Sequence, residues 1–188
     1  MNPKPPFPRI YLAGPDVFLP HSAAIFARLK SQCTMFGLVG VAPTDGDLPE
    51  GTRPDGDELA QQIYEGNVAL LESADGVAAN LASFRGQEPD SGTVFEVGYA
   101  IALGKPVVAY GVPAGSYAER VAAAIACLPD ADGVLREADG SRAMVEGLGQ
   151  RLNLMLARSV TIEASAEAAL QRLAGLLAAG AATRPLGR

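Results

Sequence analysis

The stretch GVAANLASFRGQEPDSGTVFEVGYAIALGKPVVAY, residues 76–110, decides the fold of this chain. It begins with an apolar strand at residues 76–81, runs through a loop into an apolar helix that starts near Thr93, and ends in a second apolar strand at residues 105–110. Gly104 stands where that helix should end, because glycine readily adopts the conformation of a helix C-cap. A strand, a helix and a strand in this order are typical of parallel neighbours joined by a right-handed crossover.

The same alternation of strands and helices extends to both sides of this unit. Residues 9–15 predict a strand that breaks into a Gly-Pro turn, residues 38–41 predict another strand, and residues 164–180 predict a C-terminal amphipathic helix. We therefore predict an α/β fold, a flavodoxin-like doubly wound parallel sheet with helices on both faces. We expect one domain over residues 1–188, with its core at residues 9–157.

Ligands of such a sheet bind beside the carboxyl ends of the strands. Three loops leave these ends, at residues 13–20, 42–57 and 82–92. The second loop is long and rich in Pro, Gly and Asp, which is typical of a lid or a binding edge. The turn at Gly14 lacks the Gly-x-Gly-x-x-Gly pattern and the chain has no Walker lysine, so neither NAD nor ATP is indicated.

Composition narrows the class of function. The chain has 188 residues and a formal charge of −6, which argues against a nucleic-acid partner because such a partner requires a basic face. Hydrophobic residues make up 48% of the chain, but no apolar run approaches the roughly 20 residues of a membrane span, and no secretory signal is recognisable. We expect a soluble, cytoplasmic protein that acts on a small or neutral molecule.

The residue types that are scarce exclude several kinds of chemistry. His21 is the single histidine, and Cys33 and Cys127 stand alone in apolar or helical surroundings. This pattern argues against a zinc site, a disulfide, a Ser-His-Asp triad and a cysteine nucleophile. Any chemistry must come from carboxylates, amides and tyrosines.

Glu96 is the acid that stands out, because its neighbours in the helix are almost all apolar. Asp90 offers side-chain oxygens to the free amides of the helix start, and Gly92 lets the backbone turn in tightly. We expect Glu96 to lie within about the first helical turn, where the helix dipole favours the ionised carboxylate. Glu96 either stabilises the helix by its interaction with the helix dipole or faces a cleft.

Several motifs occur in an order that resembles a known family. They are IYLAGP at residues 10–15, Asp75 at a strand start, FRGQEPD at 84–90, the Glu96 helix followed by GKP at 104–106, and NLML at 153–156. Over residues 9–157 this ordered set resembles the nucleoside 2-deoxyribosyltransferases. The resemblance implies a flavodoxin-like fold and an enzyme that cleaves the N-glycosidic bond of a 2'-deoxynucleoside, holds the sugar on a glutamate and passes it to a second nucleobase. It implies neither a cofactor nor a metal.

The resemblance assigns three residues to the chemistry. Glu96 matches the glutamate nucleophile, and Tyr11 matches the tyrosine whose hydroxyl orients it. Asp90 matches the carboxylate on the base side of the site, a candidate for proton exchange with the nucleobase nitrogen. Without the resemblance, Tyr11 reads as a core tyrosine and Asp90 as a simple helix cap.

Other residues are expected to bind the substrate. Asn67 matches a position that is often aspartate in the family and contacts the base; its neutral amide can donate and accept hydrogen bonds but cannot act as the acid. Phe18 is expected either to stack on a base or to pack in its loop. Gly14 belongs to the first binding loop. Asp75 is expected to begin its strand rather than to act.

Two further residues concern the sugar and the neighbouring subunit. Asn153 matches the residue that reaches across a subunit boundary to bind the sugar's 5'-hydroxyl, which implies a homo-oligomer. From the apolar pattern of residues 145–156 alone, it reads as a residue on the solvated edge of a helix. Arg85 is the cation of its loop and could bind a 5'-phosphate, so a 5'-monophosphate substrate remains an alternative to the nucleoside. The other interpretation of Arg85 is a solvent-exposed ion pair with Glu88.

Three classes of function remain on the sequence. The first is the transferase, whose partners are a 2'-deoxynucleoside and a free nucleobase. The second is a hydrolase of a 2'-deoxynucleoside or its 5'-monophosphate, in which water attacks the glycosyl-enzyme. The third is a nucleoside-binding module of the same fold without turnover.

Overall fold

A five-stranded parallel sheet forms the centre of the computed structural model, which describes residues 7–46 and 56–182. The strands are β1 (Arg9–Ala13), β2 (Val39–Val41), β3 (Gly76–Asn80), β4 (Val107–Tyr110), β5 (Cys127–Pro129), β6 (Leu135–Glu137) and β7 (Thr161–Ile162). The helices are α1 (Ser22–Met35), α2 (Gly56–Ser73), α3 (Ser91–Ala102), α4 (Tyr117–Ala124), α5 (Leu154–Ser159) and α6 (Ala166–Ala182). The sheet order is β2-β1-β3-β4-β7, and every neighbouring pair is parallel.

The two faces of the sheet are covered by different helices, because successive side chains of a strand point to opposite faces. In β1, Ile10 and Leu12 join a buried cluster with residues of α1 and α6. Tyr11 and Ala13 join a second cluster with residues of α2, α3 and α5. The predicted flavodoxin-like, doubly wound sheet with helices on both faces is confirmed.

Asp75 ties the start of β3 to the neighbouring strand. Its backbone amide donates to the carbonyl oxygen of Arg9 at 2.7 Å, and its carboxylate accepts from the amide of Arg9 at 2.9 Å. This placement agrees with the expectation that Asp75 begins its strand, at the edge of the sheet opposite to the binding loops.

Helix α3 begins at Ser91, before the predicted start at Thr93. The reason is the cap: the Asp90 carboxylate accepts from the amide of Thr93, and the Asp90 carbonyl accepts from the amide of Val94. Glu96 therefore lies in the second turn, and the expectation that the helix dipole acts on it within the first turn is wrong, since that effect fades beyond the first turn.

Residues 145–156 contain less helix than their apolar pattern indicates. Only Leu154–Ser159 is helical, and Asn153 is the residue that caps this helix rather than a residue within it. The backbone amide of Val145 donates to the carbonyl oxygen of Leu135 in β6, so this stretch begins beside the hairpin and not in a helix. The interpretation of Asn153 as a residue on the solvated edge of a helix is therefore wrong, because Asn153 precedes the helix as its cap.

The stretch after β4, where the sequence pattern loosens, contains α4 and an antiparallel hairpin of β5 and β6. The loop predicted at residues 42–57 begins with a short 3-10 turn at Pro43–Asp45, and residues 47–55 lie outside the described part of the chain. The predicted C-terminal helix at 164–180 corresponds to α6.

A large-to-small substitution in α6 tests the packing of the sheet. Leu173 is fully buried against the sheet, whereas Leu176 on the same helix is 38% exposed. We expect Leu173→Ala to lower the free energy of unfolding by about 2–5 kcal/mol, because it removes buried methyl groups and leaves a cavity. Urea denaturation measures the change. Leu176→Ala is the control and should cost clearly less; equal losses would contradict this packing.

Candidate active site

A hydrogen bond between the sheet and α3 joins the two residues expected to carry the chemistry. The hydroxyl of Tyr11 donates to Oε1 of Glu96 over 2.6 Å. Tyr11 is in β1 and is fully buried, whereas Glu96 is half-buried and borders a cavity. The tyrosine therefore supports the carboxylate from the protein side and leaves its other side toward the cavity.

Burial sets the proton affinity of this pair. It raises the pKa of Glu96 to about 7; the hydrogen bond from Tyr11 acts in the opposite direction, and the negative charge of Asp90 adds to the rise. The pKa of Tyr11 lies well above its ordinary value, because burial and the adjacent Glu96 both disfavour a phenolate. Tyr11 thus remains a hydrogen-bond donor, while Glu96 is divided between its two protonation states near neutral pH.

Asp90 combines a cap with a place at the cavity. Its Oδ2 accepts from the backbone amide of Thr93 at 2.9 Å and from the hydroxyl of Thr93 at 3.0 Å. Both bonds end on the same oxygen, so Oδ1 is not used by the cap. Asp90 is half-buried and lines the same cavity as Glu96. The predicted cap is confirmed, and the carboxylate retains an oxygen for a second role.

The cavity has a volume of about 460 Å³ and lies beside the carboxyl ends of the strands. This volume falls in the range of small-molecule sites. It brings together five of the residues that the sequence singles out, namely Gly14, Phe18, Asn67, Asp90 and Glu96. Apart from its carboxylates and amides, the cavity wall is mostly apolar, as expected of a site that takes a flat ring.

Gly14 forms part of the cavity where no side chain fits. A Cβ atom at this position would lie 2.8 Å from Cβ of Asn80 and 2.8 Å from Oδ2 of Asp16. These two residues are themselves joined, since Nδ2 of Asn80 donates to Oδ2 of Asp16 at 2.9 Å. The backbone of the first binding loop therefore packs directly on the end of β3.

Phe18 and Arg85 meet in one stack at the edge of the cavity. The ring of Phe18 lies on the ring of Phe84, with centroids 5.2 Å apart and planes 19° apart. The guanidinium of Arg85 lies 4.7 Å from the Phe84 centroid and 5.5 Å from the Phe18 centroid. Arg85 thus makes cation–π contacts, and no ion pair joins it to Glu88, although both residues are among those described.

Helix α2 provides one wall of the cavity and includes a residue that sequence reasoning missed. Asn67 lines the cavity as expected, together with Gln62, Ile63 and Gly66. Gln62 precedes Gly66 by four residues and Ile63 precedes Asn67 by four, so each pair lies on one face of the helix. Gln62 stands five residues before Asn67, a spacing that does not place the two on one face, so the sequence pattern does not identify Gln62.

Asn153 is not brought to Glu96 within one chain. Its Oδ1 accepts from the amide of Met155 at 3.0 Å, and its Nδ2 donates to Oε1 of Glu146 at 2.9 Å. It lines a separate depression of about 580 Å³ on another face of α3. Among the described residues, this depression and the Glu96 cavity share no lining residue.

Several other groups take no part in the site. Within residues 7–46 and 56–182, no group of three His, Cys, Asp or Glu side chains is placed to hold a metal ion. Cys33 is buried, and burial raises the pKa of its thiol to about 11, so the thiol stays protonated. In the same ranges, no helix is both long enough and apolar enough to cross a membrane.

Comparison with known proteins identifies the family. The model of the nucleoside 2-deoxyribosyltransferases matches residues 10–155. The chain belongs to the nucleoside 2-deoxyribosyltransferase family. The family model covers the Tyr11–Glu96 pair, Asp90, Asn67 and Asn153. The resemblance seen in the sequence is thereby confirmed, and the family supports deoxyribose transfer as the type of activity.

Three individual proteins are similar to the chain in sequence or in fold. A 2-desoxiribosyltransferase from Leishmania mexicana is 30% identical, with a TM-score of 0.68 over 89% of this chain and 97% of the other. The uncharacterized protein C191.05c of Schizosaccharomyces pombe is 30% identical over 90% of each chain. A conserved protein from Enterococcus faecalis V583 is 21% identical, with a TM-score of 0.56 over 90% of this chain and 99% of the other, and shares the fold.

The raised pKa of Glu96 predicts a change of stability with pH. In the folded protein this pKa is about 7 against an ordinary 4.5, so folding favours the protonated carboxyl, and stability is lost as the pH rises through 7. Glu96→Gln removes this loss. We expect the stability of the variant relative to the wild type to rise by roughly 2 kcal/mol between pH 5 and pH 8.

Urea unfolding at the two pH values measures this difference. Glu167→Gln, which removes an exposed carboxylate of α6, is the matched control for the loss of one negative charge. Parallel pH profiles of Glu96→Gln and the wild type would show that Glu96 titrates normally.

Proposed function

We propose that this protein transfers 2-deoxyribose between nucleobases through a covalent intermediate on Glu96. The observation that supports this most directly is the carboxylate itself, held by the hydroxyl of Tyr11 at 2.6 Å beside a cavity of about 460 Å³. Among the described residues no cation pairs with Glu96, and a half-buried carboxylate of this kind is costly to maintain, which is typical of catalytic groups. We infer a role in deoxynucleoside salvage in the cytoplasm from this activity.

The reaction follows the logic of a retaining glycosidase. Ionised Glu96 attacks the anomeric carbon as the bond from that carbon to the base nitrogen breaks, and the electron pair of the bond leaves with the base. A second base then attacks the same carbon from the opposite side and releases Glu96 as a carboxylate. Two inversions restore the configuration. Tyr11 holds the attacking carboxylate in place and tunes its basicity.

Proton exchange with the base is assigned to Asp90. The leaving base takes up a proton as it departs, and the acceptor base loses one when it forms the new bond. Oδ1 of Asp90 is not used by the helix cap and belongs to a residue that lines the cavity, whereas Asn67 carries an amide that does not titrate. Asn67 is therefore assigned to binding the edge of the base.

A second copy of the chain completes the site in this proposal. The Asn153 depression is lined by exposed apolar side chains, with Met155 72% and Ile101 36% exposed. A homo-oligomer would cover this surface and could bring Asn153 to the 5'-hydroxyl of a sugar in the neighbouring subunit.

A transfer assay tests the proposed function. Purified protein is mixed with deoxyinosine and adenine, with cytosine in a parallel tube, and products are followed by chromatography with and without the acceptor base. We expect new deoxynucleoside only when acceptor is present. Free deoxyribose formed regardless of acceptor would favour the hydrolase, and no turnover of nucleosides or 5'-monophosphates would favour the binding module.

Two variants divide the roles of the Tyr11–Glu96 pair. Glu96→Ala should lower kcat/KM at least roughly a thousandfold, because it removes the nucleophile. Tyr11→Phe should lower it roughly tenfold to a hundredfold, because it removes one hydrogen bond to a charged group. Tyr11→Phe should also shift the acidic limb of the pH profile upward, since that bond lowers the pKa of Glu96. Full activity of Glu96→Ala would exclude the covalent mechanism.

Asn153 needs a variant that separates its cap from its binding role. Asn153→Ser keeps an N-cap oxygen but shortens the side chain, so α5 should remain folded. We expect a higher KM for deoxynucleosides with an unchanged kcat. A 5'-deoxy analogue should be used equally well by the variant and the parent. If the parent loses no efficiency with that analogue, the 5'-hydroxyl contact is wrong.

A further inference from the structure

Thr93 is a buried polar residue of α3 that the proposed chemistry does not use. It has no exposed surface and follows the helix cap Asp90 by three positions. Its hydroxyl donates to Oδ2 of Asp90 over 3.0 Å, and its backbone amide donates to the same oxygen over 2.9 Å. Two donors of one residue therefore converge on one carboxylate oxygen, away from water.

The backbone amide fixes the direction of the side-chain hydrogen bond. An amide N–H can donate but cannot accept, so Oδ2 of Asp90 must act as an acceptor, and a proton on this oxygen is disfavoured. The Thr93 hydroxyl is able to donate or accept, but beside an oxygen without a proton it donates. A proton carried by Asp90 is thereby placed on Oδ1, the oxygen that the cap leaves unused.

The contacts of Oδ2 exceed what a helix cap requires. A hydrogen bond from the backbone amide alone completes an N-cap. At Asp90 the hydroxyl of Thr93 adds a second donor, and Gly92 adds a close approach, since a Cβ atom at Gly92 would lie 3.1 Å from the same oxygen. The orientation of the Asp90 carboxylate is therefore fixed from two sides.

The negative charge of the site moves to this carboxylate during the proposed reaction. As Glu96 attacks the anomeric carbon, the bond to the base breaks, its electron pair leaves with the base, and the base takes up the proton of Asp90. Glu96 becomes an uncharged ester and Asp90 becomes ionised, so one negative charge is present before and after the step. This agrees with their proximity, because the charge of Asp90 raises the pKa of Glu96 and so disfavours a second charge.

We propose that Thr93 is a positioning residue for proton transfer, whose hydroxyl keeps the proton of Asp90 on Oδ1 and stabilises the carboxylate that remains when the leaving base has taken it. A hydrogen bond that a carboxylate accepts favours its ionised form. The inference rests on the proposed transfer reaction and adds a residue to its first half. Because Thr93 acts through Asp90, its effect depends on how much the leaving base needs a proton.

Pairs of donors that differ by one fluorine test this role. The purine pair is 2'-deoxyadenosine and 2-fluoro-2'-deoxyadenosine with hypoxanthine as acceptor, and the pyrimidine pair is 2'-deoxyuridine and 5-fluoro-2'-deoxyuridine with cytosine. Fluorine withdraws electrons from the ring, so the fluorinated base leaves with less need of a proton. The measured quantity is kcat/KM for the donor, which in a ping-pong reaction reports the half-reaction up to release of the base. The ratio of the two values within a pair does not depend on the amount of folded enzyme.

The variants separate the hydroxyl from the rest of the side chain. Thr93→Val keeps the shape and the amide bond, and we expect it to lower kcat/KM roughly tenfold for the unfluorinated donor but about twofold for the fluorinated one. Thr93→Ser returns the hydroxyl and should restore most of the loss. Thr34→Val is the matched control: it removes a hydroxyl that donates to the carbonyl oxygen of Lys30 within α1, and it should leave both values unchanged.

Failure of this inference differs from failure of the proposed function. With transfer intact, equal losses for both donors of a pair would show that Thr93 supports the fold and not the proton transfer. An unchanged kcat/KM in Thr93→Val would show that its hydroxyl has no role. The pair that the wild type uses decides. Absence of transfer by the wild type with both pairs would refute the proposed function, and the role of Thr93 would fall with it.

Discussion

The hydrogen bond from Tyr11 to Glu96 is the interaction on which the rest of the site depends. It crosses from the sheet to α3 and is the polar contact that holds the carboxylate in surroundings that disfavour its charge. Burial alone would make Glu96 a weak acid and therefore mostly protonated. The hydrogen bond from the Tyr11 hydroxyl lowers the pKa of Glu96 without adding a positive charge, so Glu96 can be protonated or ionised near neutral pH.

This arrangement distributes the work of the cavity between two helices. Helix α3 contributes Glu96 and is capped by Asp90, so the candidate chemical groups belong to one helix and its cap. Helix α2 contributes Asn67 and Gln62, whose amides do not titrate. In the proposed mechanism, substitutions on α2 change which base is accepted, whereas substitutions on α3 change whether the sugar is transferred. The two properties are thus separable in the sequence.

Much of this molecule could be predicted from its sequence, for reasons that differ between elements. The strands of the sheet are short apolar runs between Gly and Pro signals, and those signals are local. The observed start of α3 at Ser91 differs from the predicted start near Thr93. The reason is that the position of a cap depends on which backbone amide reaches the Asp90 carboxylate in the folded chain. Asn153 is a cap and not a helix residue because α5 begins only at Leu154, and apolar periodicity alone does not show where a helix begins.

The cavity itself was predictable only in part. Gly14, Phe18, Asn67, Asp90 and Glu96 came from motifs and do line one cavity. Gln62 carries no motif, and its unsatisfied acceptor exists only once α2 is packed against the site. The contact of Arg85 with Phe84 could not be predicted either. In the sequence, a loop arginine close to Glu88 indicates an ion pair, whereas in the structure its guanidinium lies over the Phe84 ring.

The contacts of Asn80 have a consequence for the floor of the cavity. Its side chain donates to Asp16, packs where Gly14 has no Cβ, and lies against Gly111, whose φ is 72°. Three loops that follow the adjacent strands β1, β3 and β4 therefore meet at a single amide. A displacement of any one of them would strain the contacts that Asn80 makes with the other two, so the loop that contains Gly14 is coupled through the sheet edge to loops outside the cavity.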